Sequence, residues 1–157
     1  MSPLRPADAR DLDLLVDLMQ EFYAESGYPL ERARARWCFE RLIADPALGR
    51  LWLILADGAP AGYVAVTFGF SLEYGGRDAF VDDLFLRPVA RQRGLGNAVL
   101  VEVEEVCRGL EVRALHLEVE RANGPAQSLY RKRGFAEDGR LLLTKRLAAG
   151  ATGRGPA

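Results

Sequence analysis

The chain has 157 residues, a formal net charge of −1, one histidine and two cysteines. That length suits one domain with a real core, and the balanced charge argues against a general nucleic-acid binder. The lone histidine argues against a histidine-rich metal centre, nothing resembles a signal peptide, and no apolar run is long enough to span a membrane. These features lead to the expectation of a cytoplasmic protein with no metal, nucleic-acid or membrane partner.

Residues 4–6 read as a short strand, followed by Asp8 as the cap of a helix over residues 9–26. In that helix Leu12, Leu15, Val16, Met19 and Phe22 recur at helical spacing. Residues 27–29 break it. A second helix is predicted over residues 30–44, with Trp37, Leu42 and Ile43 as its apolar positions. Residues 51–56 read as a buried strand, and the turn at 57–60 leads to a long strand over 61–72. A further turn at 73–76 precedes a strand over 79–86. A basic, glycine-containing loop at 91–96 then runs into a helix over 97–108. Residues 114–119 read as a strand, 124–133 as a short helix and 141–146 as a final strand. Residues 1–147 form one predicted domain, and the small, polar, glycine-rich residues 148–157 are expected to be a disordered tail. Cys38 and Cys107 fall within the helical patterns and are expected to be reduced, buried thiols.

Strand, glycine loop and helix in that order make an anion site. Glycines let the backbone approach closely, and first-turn amides lack helix partners and point at what sits above them. A diphosphate is the expected guest of the amides from Gln92 through Arg93, Gly94, Leu95 and Gly96 to Asn97. Arg91 and Arg93 add positive charge, and at least one of them is expected to contact phosphate.

The run Arg91-x-x-Gly94-x-Gly96 resembles the coenzyme A diphosphate loop of the GCN5-related N-acetyltransferase (GNAT) superfamily. Asn123-x-x-Ala126-x-x-Leu129-Tyr130 followed by Gly134-Phe135 is similar to the family's later helix, at the family's spacing. The strand from Val81 to Leu86 also matches, and the nearest branch it resembles is the diamine acetyltransferases. The resemblance implies an α/β (α+β) fold, a mixed, mostly antiparallel and splayed sheet flanked by helices. It implies acetyl-CoA as cosubstrate, with the strand from Leu84 through Phe85 to Leu86 pairing with pantetheine. Asn123 and Ala126 would join the cofactor site, Asn123 by binding pantetheine or capping its helix.

Acyl transfer to an amine needs a neutral nucleophile, a donor for the developing oxyanion and a proton for the departing thiolate. An amine with a pKa near 10.4 is only about 0.1% neutral at pH 7.4, a contribution of roughly 4 kcal/mol to the barrier. Asp82 and Asp83 are adjacent on one predicted strand, so their side chains are expected on opposite faces. The resemblance favours Asp82 as the base, one methylene shorter than the diamine enzymes' glutamate, with Glu118 a second candidate. It implies Tyr130 as general acid, the alternative being a core aromatic. His116 reads as a packed or hydrogen-bonded strand residue.

The acceptor site in this family is built from the first helices, their connection and the hairpin before the cofactor strand. Glu25, Tyr28, Glu73 and Tyr74, with Glu31, Phe70 and Asp78, would then make an acidic mouth for a cationic amine. The expected function is acetyl transfer to a small cationic primary amine by direct attack in a ternary complex, in a homodimer. A protein N-terminal or lysine acetyltransferase is the enzymatic alternative, and a non-catalytic acyl-CoA sensor is the alternative of another class. No G-x-G-x-x-G and no Gly-Lys-Ser/Thr supports a dinucleotide or P-loop reading.

Overall fold

The computed structural model describes residues 1–148. The elements are β1 (Leu4–Pro6), α1 (Leu12–Glu25), α2 (Arg32–Ala44), β2 (Gly49–Ala56), β3 (Ala59–Ser71), β4 (Gly76–Leu86), α3 (Leu95–Gly109), β5 (Ala114–Leu117) and α4 (Gly124–Lys132). The strands form one sheet in the order β1-β2-β3-β4-β5. Pairing is antiparallel from β1 to β4, and β5 joins β4 in parallel after the α3 crossover. This is the mixed, mostly antiparallel α/β sheet expected from the sequence.

Two helical layers cover the sheet. Leu15, Val16 and Leu18 of α1 and Ala35 and Phe39 of α2 pack on Leu51, Leu53, Tyr63, Ala65 and Phe85. On the other face, Val99, Val103 and Cys107 of α3 meet Ile54, Val64, Val66, Ala79 and Val81. The four-residue spacing of Val99, Val103 and Cys107 gives α3 a single apolar stripe. Burial pushes the Cys107 thiol above its ordinary range. The β2–β3 hairpin turns at Asp57 and Gly58, both at positive φ (53° and 79°), the geometry whose twist suits a two-residue loop.

Three expectations are corrected. Trp37 is 61% exposed, because α2 turns Ala35 and Phe39 inward instead. Cys38, next to it, is likewise exposed rather than buried. Residues 141–146 form no strand in the structure, and Leu141, Leu142 and Leu143 are exposed. Residues 149–157 of the expected tail lie outside the described residues. Among the described residues no helix is long and apolar enough to cross a membrane, and no group of three ligating side chains is placed to hold a metal ion.

A 3-10 turn at Ala9–Asp11 leads into α1, and a capping box starts that turn: Asp8 accepts from Arg10 N and the Asp11 carboxylate accepts from Asp8 N. Hydrogen bonds from the Arg10 side chain and backbone hold the Asp8 carboxyl at about 2, below its ordinary 3.8. Burial works to raise Asp11, but bonds from Arg5 and from Asp8 N outweigh it and the net shift is downward. Depressed folded-state values mean that this stabilisation is present above pH 4 or so and is lost as pH falls toward about 2. Thermal melts across that window are expected to show a steeper acid loss for the native chain than for Asp8→Asn; parallel curves would contradict it.

Candidate active site

The pairing of β3 with β4 runs Ala65↔Asp83 and then Val66↔Val81, which leaves Asp82 as the extra residue of a β-bulge. The bulge cancels the alternation expected for adjacent residues and turns both carboxylates toward the α1–α2 layer. Tyr63 Oη, inside that layer's core, donates to Asp83 Oδ2 at 2.8 Å. Partial desolvation raises the Cys38 thiol of α2, and the Asp82 carboxylate adds to the rise, which places Asp82 on the same side. Asp83 is only 8% exposed, whereas Asp82 faces solvent.

A cavity of about 170 Å³ opens over the bulge, lined by Tyr23, Phe80, Val81, Asp82, Asp83 and Glu118. Glu118 follows directly on β5. A larger depression of about 450 Å³ lies at the other end of β4, around Gly75, Arg77 and Arg113, between the turn that follows Tyr74 and the end of α3.

The β4–β5 ladder ends at Val81↔Leu117, so the sheet splays there and β4 from Asp82 to Leu86 has an open edge. Arg87 N donates to Ala61 O at 2.8 Å. Antiparallel alternation from that bond pairs Phe85 with β3 and aims the N–H and C=O of Leu84 and Leu86 into the gap. These are the groups an extended amide chain needs. Leu86 C=O accepts from Arg91 Nε at 2.8 Å.

The loop after β4 reaches α3 through Gln92 at φ 58° and Gly94 at φ 75°. Gly94 is the N-cap of α3, no side chain caps that helix end, and its first turn holds no acidic residue. The positive helix terminus is therefore left for an anion. Arg91 and Arg93 flank it, each held by a carboxylate: Arg91 by Glu25 at 2.6 Å and Arg93 by Asp57 at 2.9 Å. Both are exposed pairs, which contribute little and exchange readily for a phosphate. A Cβ on Gly96 would stand 3.1 Å from Leu129 Cδ2, so α3 and α4 approach closely at this position.

Asn123 caps α4, its Oδ1 accepting from Ala126 N at 3.2 Å. The last turn is tied to α3 by Arg133, whose Nε and Nη2 reach Glu104 at 3.1 and 2.7 Å. Tyr130 is half-buried and meets Phe135 edge-on at 5.9 Å.

The residues expected to form the acidic mouth are engaged by partners one by one, while Tyr28 reaches the cavity's Tyr23 at 6.4 Å and Tyr74 reaches its Phe80 through His116. Glu25 is engaged by Arg91, Tyr28 Oη donates to Glu120 at 3.1 Å, and Glu73 is held by Arg140 at 2.9 Å. Tyr74 packs on His116 at 5.4 Å, and His116 Nε2 lies 3.0 Å from Asp78 Oδ2. Tyr23 and Phe80 line the cavity instead. Phe80 had a signal, since it lies two residues before Asp82 on the same strand; Tyr23 had only its place in the last turn of α1.

The model of the acetyltransferase (GNAT) family matches residues 12–135. The chain is 31% identical over 101 residues to a [ribosomal protein bS18]-alanine N-acetyltransferase assignment of Bacillus subtilis (strain 168), covering 64% of this chain and 62% of that protein. The curated relatives it matches are thus spanned over about two thirds of their length or less. An integron cassette protein from the mobile metagenome of Cole Harbour Salt Marsh has a solved structure that superposes with TM-score 0.84 at 44% identity, over 93% of this chain and 91% of that one. An aminoglycoside N-acetyltransferase solved in complex with CoA shares the fold, at TM-score 0.76 and 18% identity over 92% and 94% of the two chains. Matched over the elements that build the bulge, the open strand edge and the uncapped helix, the chain belongs to the GNAT acetyltransferase family, whose cosubstrate is acetyl-CoA.

Proposed function

We propose that this chain transfers an acetyl group from acetyl-CoA to the primary amine of a small cationic acceptor, by direct attack in a ternary complex. The observation that carries the reading is the cavity beside the open edge of β4, with Asp82, Asp83 and Glu118 among its lining residues. Three carboxylates favour a cation, and the size admits a slender aminoalkyl end between Tyr23 and Phe80.

Acetyl-CoA fits the residues present and supplies an activated acyl thioester. Leu84 and Leu86 would bind the pantetheine amides along the open edge, with Phe85 between them paired to β3. The first-turn amides of α3 at Leu95, Gly96 and Asn97, with Gln92, Arg93 and Gly94 before them, would hold the diphosphate. Arg91 would exchange its hold on Glu25 for a phosphate. Asn123 and Ala126 would shape the wall opposite β4. Asp82, exposed at the cavity, would take the amine proton through water, while buried Asp83 fixes the bulge through Tyr63. Tyr130 would return a proton to the sulfur.

A second reading, acetylation of a protein N-terminus, is favoured by the likeness to the ribosomal-protein alanine enzyme. A panel of polyamines, thialysine-like amino acids, aminoglycosides and N-terminal peptides separates the two. The proposal expects the highest kcat/KM on a small amine; a preference for peptides would support the second reading. Arg91→Ala is expected to raise the KM for acetyl-CoA about tenfold, the worth of one charge-assisted bond. An unchanged KM would remove Arg91 from the diphosphate site.

A further inference from the structure

His116, the chain's one histidine, takes no part in the proposed acetyl transfer. It lies on β5 opposite Phe80 of β4, one pair before that ladder ends at Val81↔Leu117. Paired residues of neighbouring strands share a face, and here the two rings meet at 4.9 Å and 38°. Tyr74 packs on the imidazole as well, at 5.4 Å. Phe80 itself lines the cavity. It is 37% exposed, and among the described residues its only ring contact is His116. A wall residue with so little packed behind it takes its position from that one neighbour.

The imidazole is in turn held in place. A carboxylate only accepts, so Nε2–H donates to Asp78 Oδ2 at 3.0 Å, which sets the plane of the ring. Both side chains are mostly buried, at 26 and 17% exposure. Asp78 pairs with Gly69 of β3, and a Cβ there would stand 2.7 Å from Asp78 Oδ1. The carboxylate therefore occupies space that the glycine leaves open. Gly69, Asp78, His116 and Phe80 form a chain of contacts from β3 across β4 to β5 and back to the cavity wall.

We propose that His116 is a positioning residue for the acceptor: held by Asp78, it sets the tilt of Phe80 and the width of the cavity, and so decides how bulky an amine the site accepts. This rests on the acetyl-transfer reading. Without the imidazole, the Phe80 ring settles into the vacated space and the cavity widens on that side. A slender aminoalkyl chain then loses contact, whereas an aromatic amine gains room. Fit along the alkyl chain acts on substrate and transition state alike, so its loss shows in KM rather than in kcat.

The test is a double-mutant cycle of His116→Gln and Phe80→Leu, assayed with 1,4-diaminobutane and with benzylamine. Glutamine keeps a donor for Asp78 but has no ring. Each single variant is expected to raise the KM for 1,4-diaminobutane about tenfold, the scale on which a pocket discriminates by a methylene, with kcat and the KM for acetyl-CoA unchanged. The preference for benzylamine over 1,4-diaminobutane is expected to rise. Because His116 acts through Phe80, the double variant should be no worse than either single one. Additive losses, a fall in kcat or an unchanged KM overturns the proposal. A second readout depends on neither turnover nor the folding of His116→Gln, since His116 gives the chain's only imidazole resonance. With CoA present, at fixed pH and ionic strength, that resonance is expected to move when 1,4-diaminobutane is added to the native chain and to stay still in Phe80→Leu. A resonance that stays still in the native chain, or moves equally in both, overturns the proposal. Thiol release with no amine at all, beside a resonance that moves as expected, sinks the functional reading alone and leaves His116 as the residue that sets the cavity wall.

Discussion

Replacing Tyr130 by phenylalanine is expected to lower kcat about a hundredfold, the lower end of what a positioned proton donor contributes, with little change in the KM for acetyl-CoA. A free phenol, with a pKa near 10, is close enough to an alkyl thiol, near 8.5, for such a pair to share a proton as a thiolate leaves. The residual rate reflects reactants held in place by the β4 edge and the α3 terminus, since orientation alone recovers roughly 7–11 kcal/mol. Steady-state kinetics with a good amine acceptor check this. A raised KM at unchanged kcat would make Tyr130 a packing residue, in keeping with its edge-on contact with Phe135.

The second large effect is expected at the bulge. Asp82→Asn should cut kcat/KM for a cationic amine at neutral pH by about a hundredfold, combining a lost base with a weakened cation site. The loss should shrink as pH rises toward the amine pKa, because the free amine then supplies itself. A pH–rate profile of the variant, steeper through the alkaline range than that of the native chain, is the measurement. A profile of unchanged shape would pass the role to Glu118. Asp83→Asn should behave differently. It disturbs the buried partner of Tyr63, so the expected change is a lower melting temperature, worth about 1–3 kcal/mol.

The cofactor half of the site was readable because its chemistry is local in the chain. Gly94 and Gly96 lie between a strand and a helix start, and Asn123 and Tyr130 lie on one short helix, so linear spacing carries the geometry. The acceptor half is not local. Glu25 and Glu73 looked like free acidic groups, yet arginines distant in sequence, Arg91 and Arg140, occupy them. The bulge at Asp82 was invisible for a related reason. A register shift is a property of two strands, and the β4 residues alone suggest strict alternation. The strand expected at 141–146 has the right composition, but a strand also needs an edge to pair with, and the described sheet holds only β1 to β5.

The most direct test of the account is release of free thiol from acetyl-CoA on addition of a small cationic amine. The account predicts amine-dependent thiol release matched mole for mole by acetylated amine, for the native chain and strongly reduced for Tyr130→Phe and Asp82→Asn. Saturable acetyl-CoA binding without thiol release across polyamines, amino acids, aminoglycosides and peptides would contradict it, and would make the protein an acyl-CoA sensor.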